Sequence, residues 1–145
     1  MVKINRLGKN IEQRFAHRYF DEIGLGIDFT ARDVQNKLKD KGLPWEKSKS
    51  FDKAAVIGGE FFSKSDLADP EAIKFGLNIN GENVQTGSSK LMMFGFDEII
   101  AHVSKYVTLK IGDLIYTGTP AGVGPVKIGD HLEGYLENKK VLDFQ

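Results

Sequence analysis

Apolar and polar residues alternate over Val2-Lys3-Ile4-Asn5, the period of a half-buried strand, and Leu7 to Asn10 turns it. Over residues 11–23 the period lengthens. Ile11, Phe15, Tyr19 and Ile23 recur at spacing four and predict an amphipathic helix. Gly24 to Asp28 reads as a short strand. A second helix is predicted over 30–42, with Thr30 and Asp33 placed like a capping box and Gly42 as its stop. A polar loop at 43–52 leads to a strand at 54–58. The clearest local pattern covers 73–85, where alternating runs flank Asn80-Gly81 and predict a hairpin closed by a type I′ turn. Phe96 to Leu109 reads as a helix with the apolar stripe Ile99, Ile100, Val103, Tyr106 and Val107. Lys-Ile-Gly-Asp occurs twice, from Lys110 and from Lys127, each time just before a strand, which points to repeated turn chemistry. Residues 139–144 close the chain as a strand. The sum is an α+β, β-dominated single domain over 1–145 with two or three helices and no linker.

Composition narrows what such a domain does. With 41% apolar and 28% charged residues the 145-residue chain has the balance of an ordinary globular domain, long enough for a real core. The absence of cysteine excludes disulfides, thiol nucleophiles and Cys-based metal sites, and fits a cytoplasmic protein. Lys+Arg and Asp+Glu both number 20, so no basic excess supports binding to nucleic acid. No apolar run reaches the ~20 residues of a membrane span. Sixteen glycines fit turns between many short strands.

Several residues are candidates for chemistry. Asp28 ends a strand ahead of a helix, where a carboxylate either faces a ligand or serves as a turn residue. Arg32 and Gln35, three apart, share a helix face; together they suit a carboxylate or keto-acid, and equally suit solvent. Lys47 and Lys49 flank Ser48 in a polar loop, and the pattern alone does not separate them. His17, His102 and His131 are scattered and take structural roles. The loop in "DLIYTGTPAGVG", from Asp113 to Gly124, has neither a P-loop lysine nor a dinucleotide fingerprint. A nucleotide phosphate is therefore its weakest reading. Its glycines instead allow close backbone approach beside Thr117 and Thr119.

Three blocks, "GLGIDFTARDVQNKLKDKGLPWEKSKSFD", "VQTGSSKLMMF" and "GDLIYTGTPAGVGPVKIGD", together resemble the fumarylacetoacetate hydrolase family over essentially the whole chain. The resemblance implies a mixed β-sheet roll, a homodimer, Mg²⁺ or Mn²⁺, and a compact keto-acid substrate hydrolysed, decarboxylated or isomerised through a metal-stabilised enolate. It implies Asp28 as a metal carboxylate, Arg32 and Gln35 facing substrate, Lys49 as the active-site lysine, and Gly118 and Thr119 holding a substrate carboxylate. Family members also carry an upstream segment with a Glu-x-Glu pair of metal ligands, which this sequence lacks; Met1 to Ile4 looks like the continuation of that strand. Ser88, Ser89 and Leu91 stand where members commonly have Asn, Thr and Asp. The expectation is a family member shortened at its N-terminus, either catalytic or reduced to a binding or structural domain.

Overall fold

A computed structural model describes all residues 1–145. Two four-stranded sheets carry the chain. The first contains β1 (Val2–Ile4), β2 (Phe20–Asp28), β3 (Ala55–Ser63) and β6 (Leu114–Ile115) in the order β3-β2-β1-β6. The second contains β4 (Lys74–Ile79), β5 (Glu82–Ser88), β7 (Leu132–Leu136) and β8 (Lys139–Phe144) in the order β5-β4-β7-β8. Every strand pairing is antiparallel. Three helices complete the expected α+β, β-dominated architecture: α1 (Gln13–Ala16), α2 (Arg32–Asp40) and α3 (Phe96–Ser104). Val2, Ile4, Phe20, Ile23, Ile73, Ile100, Leu136 and Val141 belong to one buried cluster that joins both sheets to α3. Each such side chain contributes roughly 1.5–3 kcal/mol on leaving water.

The helix expected over 11–23 is a correction. Only Gln13–Ala16 is helical, and β2 begins at Phe20. Of the spacing-four residues, Phe15 lies in α1 and Ile23 in β2, while Ile11 and Tyr19 lie in the segments that flank α1; Ile11 and Ile23 share the buried cluster and Tyr19 packs against it. Phe20 and Ile23 face Ile4 and Val2 across β1, whose backbone a helix there would leave unpaired on that side. Ile11 is held separately, its N–H donating to Ser104 Oγ at 2.9 Å. The capping box also fails: Ala31 is the N-cap and makes no side-chain cap bond. The stop of α2 holds, because Gly42 (φ +62°) closes it with Gly42 N–H to Lys39 O and Leu43 N–H to Leu38 O. Helix α3 ends at Ser104, leaving Tyr106 and Val107 of the expected stripe exposed.

The turns follow expectation. Asn80 and Gly81 adopt φ of 52° and 83° between β4 and β5, as a type I′ turn requires. The two Lys-Ile-Gly-Asp turns have the same geometry. Gly112 and Gly129 sit at φ near +90°, and Asp113 and Asp130 accept the Lys110 and Lys127 N–H at 2.7 and 2.8 Å.

Candidate functional site

Asp28 is the last residue of β2 and is held in register with Ala55 of β3. Its Oδ2 lies 2.5 Å from Lys49 Nζ, in a half-exposed ion pair. The loop carrying Lys49 is fixed from below. Ser48 is fully buried, its hydroxyl donates to Trp45 O at 2.6 Å, and its carbonyl accepts the Ala31 N–H at 3.0 Å. The Phe29 N–H to Ala54 O bond at 2.8 Å ties the far end of the loop to the residue after Asp28. Anchoring Ser48 sends Lys49 toward Asp28, whereas Lys47 is exposed and has no ionic partner.

One helical turn beyond Asp28, Arg32 Nη1 donates to Gln35 Oε1 at 2.7 Å. Gln35 is 2% exposed and is the one buried residue of α2, so a polar side chain sits on the inner face between half-buried Val34 and Leu38. Of the two readings of this pair, solvation is wrong for Gln35; Arg32 itself remains exposed.

Gly118 and Thr119 lie in the loop after β6. Gly118 takes φ +130°, a conformation that favours glycine. Thr119 is exposed and faces Gln85 of β5, whose Nε2 lies 3.4 Å from Thr119 Oγ1 and donates to Pro120 O at 3.2 Å. Gly122 (φ +94°) packs against β5 so closely that an added Cβ would lie 2.2 Å from Val84 O. No hydrogen bond joins Thr119 to Asp28 or Lys49. Tyr116, three residues before Thr119, reaches the strands that carry Asp28 and Ala55: its hydroxyl donates to Val56 O at 2.8 Å and its ring covers Gly26. Burial, and then the negative charge of Asp28, push the Tyr116 pKa up, so the phenol stays protonated beside the carboxylate. Sequence reasoning missed Tyr116, Gln85 and Ser48. The only signal for Tyr116 was an aromatic residue at the point where a strand meets the glycine loop.

A second group of ligand-type side chains comes from β7, β8 and the residue just ahead of β7, where His131, Glu133 and Asp143 converge within 4.8 Å. Lys140 already sits among them, 2.5 Å from Asp143 and 3.0 Å from Glu133, and supplies the positive charge. Its hydrogen bonds hold Asp143 below the usual carboxylate range, and theirs raise Lys140. This is a closed charge network. A cavity of about 620 Å³ between Phe20, Lys64, Asp69, Lys90 and Phe96 also lies apart from Asp28.

A family model described as fumarylacetoacetate hydrolase C-terminal matches residues 1–143. The mitochondrial oxaloacetate tautomerase FAHD1 of Mus musculus is 40% identical over 144 residues, which are 99% of this chain and 65% of that protein. Oxaloacetate tautomerase YcgM of Escherichia coli is 43% identical over 123 residues, 82% of this chain and 56% of that one. The chain thus spans less than two thirds of the length of these relatives. Among solved structures, a fumarylacetoacetate hydrolase family protein from Yersinia pestis superposes with a TM-score of 0.91 at 36% identity, covering 97% of this chain and 66% of that one. Fumarylpyruvate hydrolase from Pseudomonas aeruginosa, solved with Mn²⁺ and pyruvate, superposes with a TM-score of 0.86 at 31% identity, covering 93% and 57%.

Proposed function

The chain belongs to the fumarylacetoacetate hydrolase family, and from that premise we propose that it forms the larger part of an enzyme that hydrolyses, isomerises or decarboxylates a small keto-acid. The observation that carries this reading is the contact between Asp28 and Lys49 at the end of β2, with Arg32 and Gln35 one helical turn on. Lys49 places an ammonium where negative charge develops on a keto-acid oxygen as it becomes an enolate. The Arg32 guanidinium offers a fork of donors for a carboxylate, and its bond to Gln35 limits its orientations. Gly118 and Thr119 offer backbone and hydroxyl to the other end of the same small molecule.

The donor set suits Mg²⁺ or Mn²⁺ to a limited degree. Asp28 presents one hard oxygen while the other is bonded to Lys49, and Mg²⁺ is commonly held by one or two carboxylates with substrate and water completing the shell. Such a cation supplies Lewis-acid withdrawal of electron density from adjacent keto-acid oxygens. Beyond Gly24 the β1 side of β2 has no strand partner. We assign that lane, alongside Leu25 to Asp28, to a further strand of the family fold carrying the remaining carboxylates. A homodimer is part of the same reading, since Leu91, Met93 and Phe94 are 80, 90 and 54% exposed in one run.

Calorimetric titration with Mg²⁺ or Mn²⁺ and oxalate, a keto-acid mimic, tests the assignment. Metal-dependent binding near one oxalate per chain, lost in Asp28→Ala, is expected. Absence of binding in the unaltered chain supports the second reading, a domain without turnover. One observation favours that alternative: the one three-ligand cluster of the fold does not include Asp28.

A further inference from the structure

We propose that Tyr116 is a specificity-determining residue of this site, its ring forming the wall that limits how long a keto-acid fits beside Asp28. This rests on the keto-acid reading of Asp28 and Lys49. Side chains two apart on a strand share a face, so Gly26 and Asp28 of β2 point the same way, roughly 7 Å apart. Gly26 contributes nothing to that face, and the Tyr116 ring takes the vacated space. A Cβ at position 26 would lie 2.7 Å from Tyr116 Cε1 and 2.8 Å from its hydroxyl oxygen.

The ring is fixed there. Its hydroxyl donates to Val56 O at 2.8 Å, beside the register irregularity that β2 and β3 show between Gly24 and Gly26. With that donor used, the surface Tyr116 presents to a ligand is aromatic carbon. A ligand chelated at Asp28 and reaching toward Thr119, three residues along from Tyr116, runs past this wall. Compact keto-acids clear it; longer ones collide. The polarity of the wall also matters, because a hydrocarbon surface discriminates by length and bulk rather than by hydrogen bonds.

The test compares affinities for oxalate and for 2-oxopimelate, a longer keto-dicarboxylate, with Mn²⁺ present, in the unaltered chain, Tyr116→Leu and Tyr116→Phe. Leucine shortens the wall and should shift the affinity ratio toward 2-oxopimelate by about tenfold or more, as expected for added room in an apolar pocket. Phenylalanine keeps the ring and should hold the ratio within about threefold. If the leucine variant does not fold by circular dichroism, Tyr116→Met makes the same comparison with a flexible side chain. An unchanged ratio in the shortened variant, with oxalate still bound, overturns the wall alone. A Phe variant that shifts as far as Leu also overturns it, because the hydroxyl is then the determinant. Failure of the unaltered chain to bind oxalate removes the reading beneath it, and the wall with it.

Discussion

The α-amino group of Met1 is buried in the first sheet, where it donates to Gly24 O at 2.9 Å while Met1 O accepts the Gly24 N–H at 2.9 Å. Burial lowers its pKa from 8.0 to about 6. The 145-residue polypeptide should therefore gain stability as pH rises from about 6 to about 8. Within that window the unfolded amine holds a proton that the folded one has released, and stability rises with pH wherever the unfolded state binds more protons. The penalty is complete below about pH 6 and gone above about pH 8. Two pK units correspond to about 2.7 kcal/mol, or a melting shift on the order of 5–10 °C for a chain of this size. Urea and thermal unfolding at both pH values, repeated on the Nα-acetylated chain, isolate the effect. Acetylation removes the charge but keeps one N–H for Gly24 O. Every other ionisable group is common to the two forms and cancels in the difference. Equal pH slopes for the free and acetylated chains would refute the reasoning.

Three other perturbations read different parts of the fold. Ser104→Ala leaves the Ile11 N–H without its buried acceptor and should cost about 1–3 kcal/mol by urea denaturation. Gly122→Ala combines a positive φ with a Cβ placed on Val84 O; the backbone conformation alone costs about 1–2 kcal/mol, and oxalate affinity should fall as the glycine loop moves off β5. Met93→Glu places a charge in the exposed apolar run and should shift sedimentation from dimer to monomer with little change in the thermal transition of the monomer. A protein that already sediments as a monomer contradicts the assigned interface.

Legibility followed the range of the interactions. The Asn80-Gly81 hairpin, the paired Lys-Ile-Gly-Asp turns and the Gly42 stop are decided within a few residues, and the sequence pattern locates each. The 11–23 segment misleads because its apolar spacing serves a core contributed by β1 and α3, not one helix face. At the site, Asp28, Arg32 and Gln35 are near neighbours and could be paired on paper. That Lys49 rather than Lys47 reaches Asp28 depends on burial of Ser48, which no local pattern announces. The aromatic crossing at Gly26 is less visible still, since Tyr116 lies ninety positions away and meets Gly26 only through the order of strands in the sheet.

The buried amine, the Tyr116 wall and the Asp28–Lys49 pair all stand where β2 outruns β1. There β2 stays paired to β3 as far as Asp28 while its pairing to β1 stops at Gly24. One side of the strand is thus fixed by the β3 ladder, and the other is free to meet loops and ligands. A carboxylate at the end of such a strand is positioned more rigidly than one on a loop, yet keeps lone pairs that sheet side chains deeper in the core could not offer. In the 145-residue polypeptide the Met1 amine, one residue ahead of β1, lies in the same place with little water around it. If the lane does receive a further strand, placing a peptide bond ahead of Met1 should remove the pH-dependent penalty and bring added carboxylates beside Asp28 together. If it does not, extending the chain should remove the penalty yet leave metal affinity unchanged. The pH slope and the metal titration on one extended polypeptide therefore separate a folding role for the lane from a chemical one.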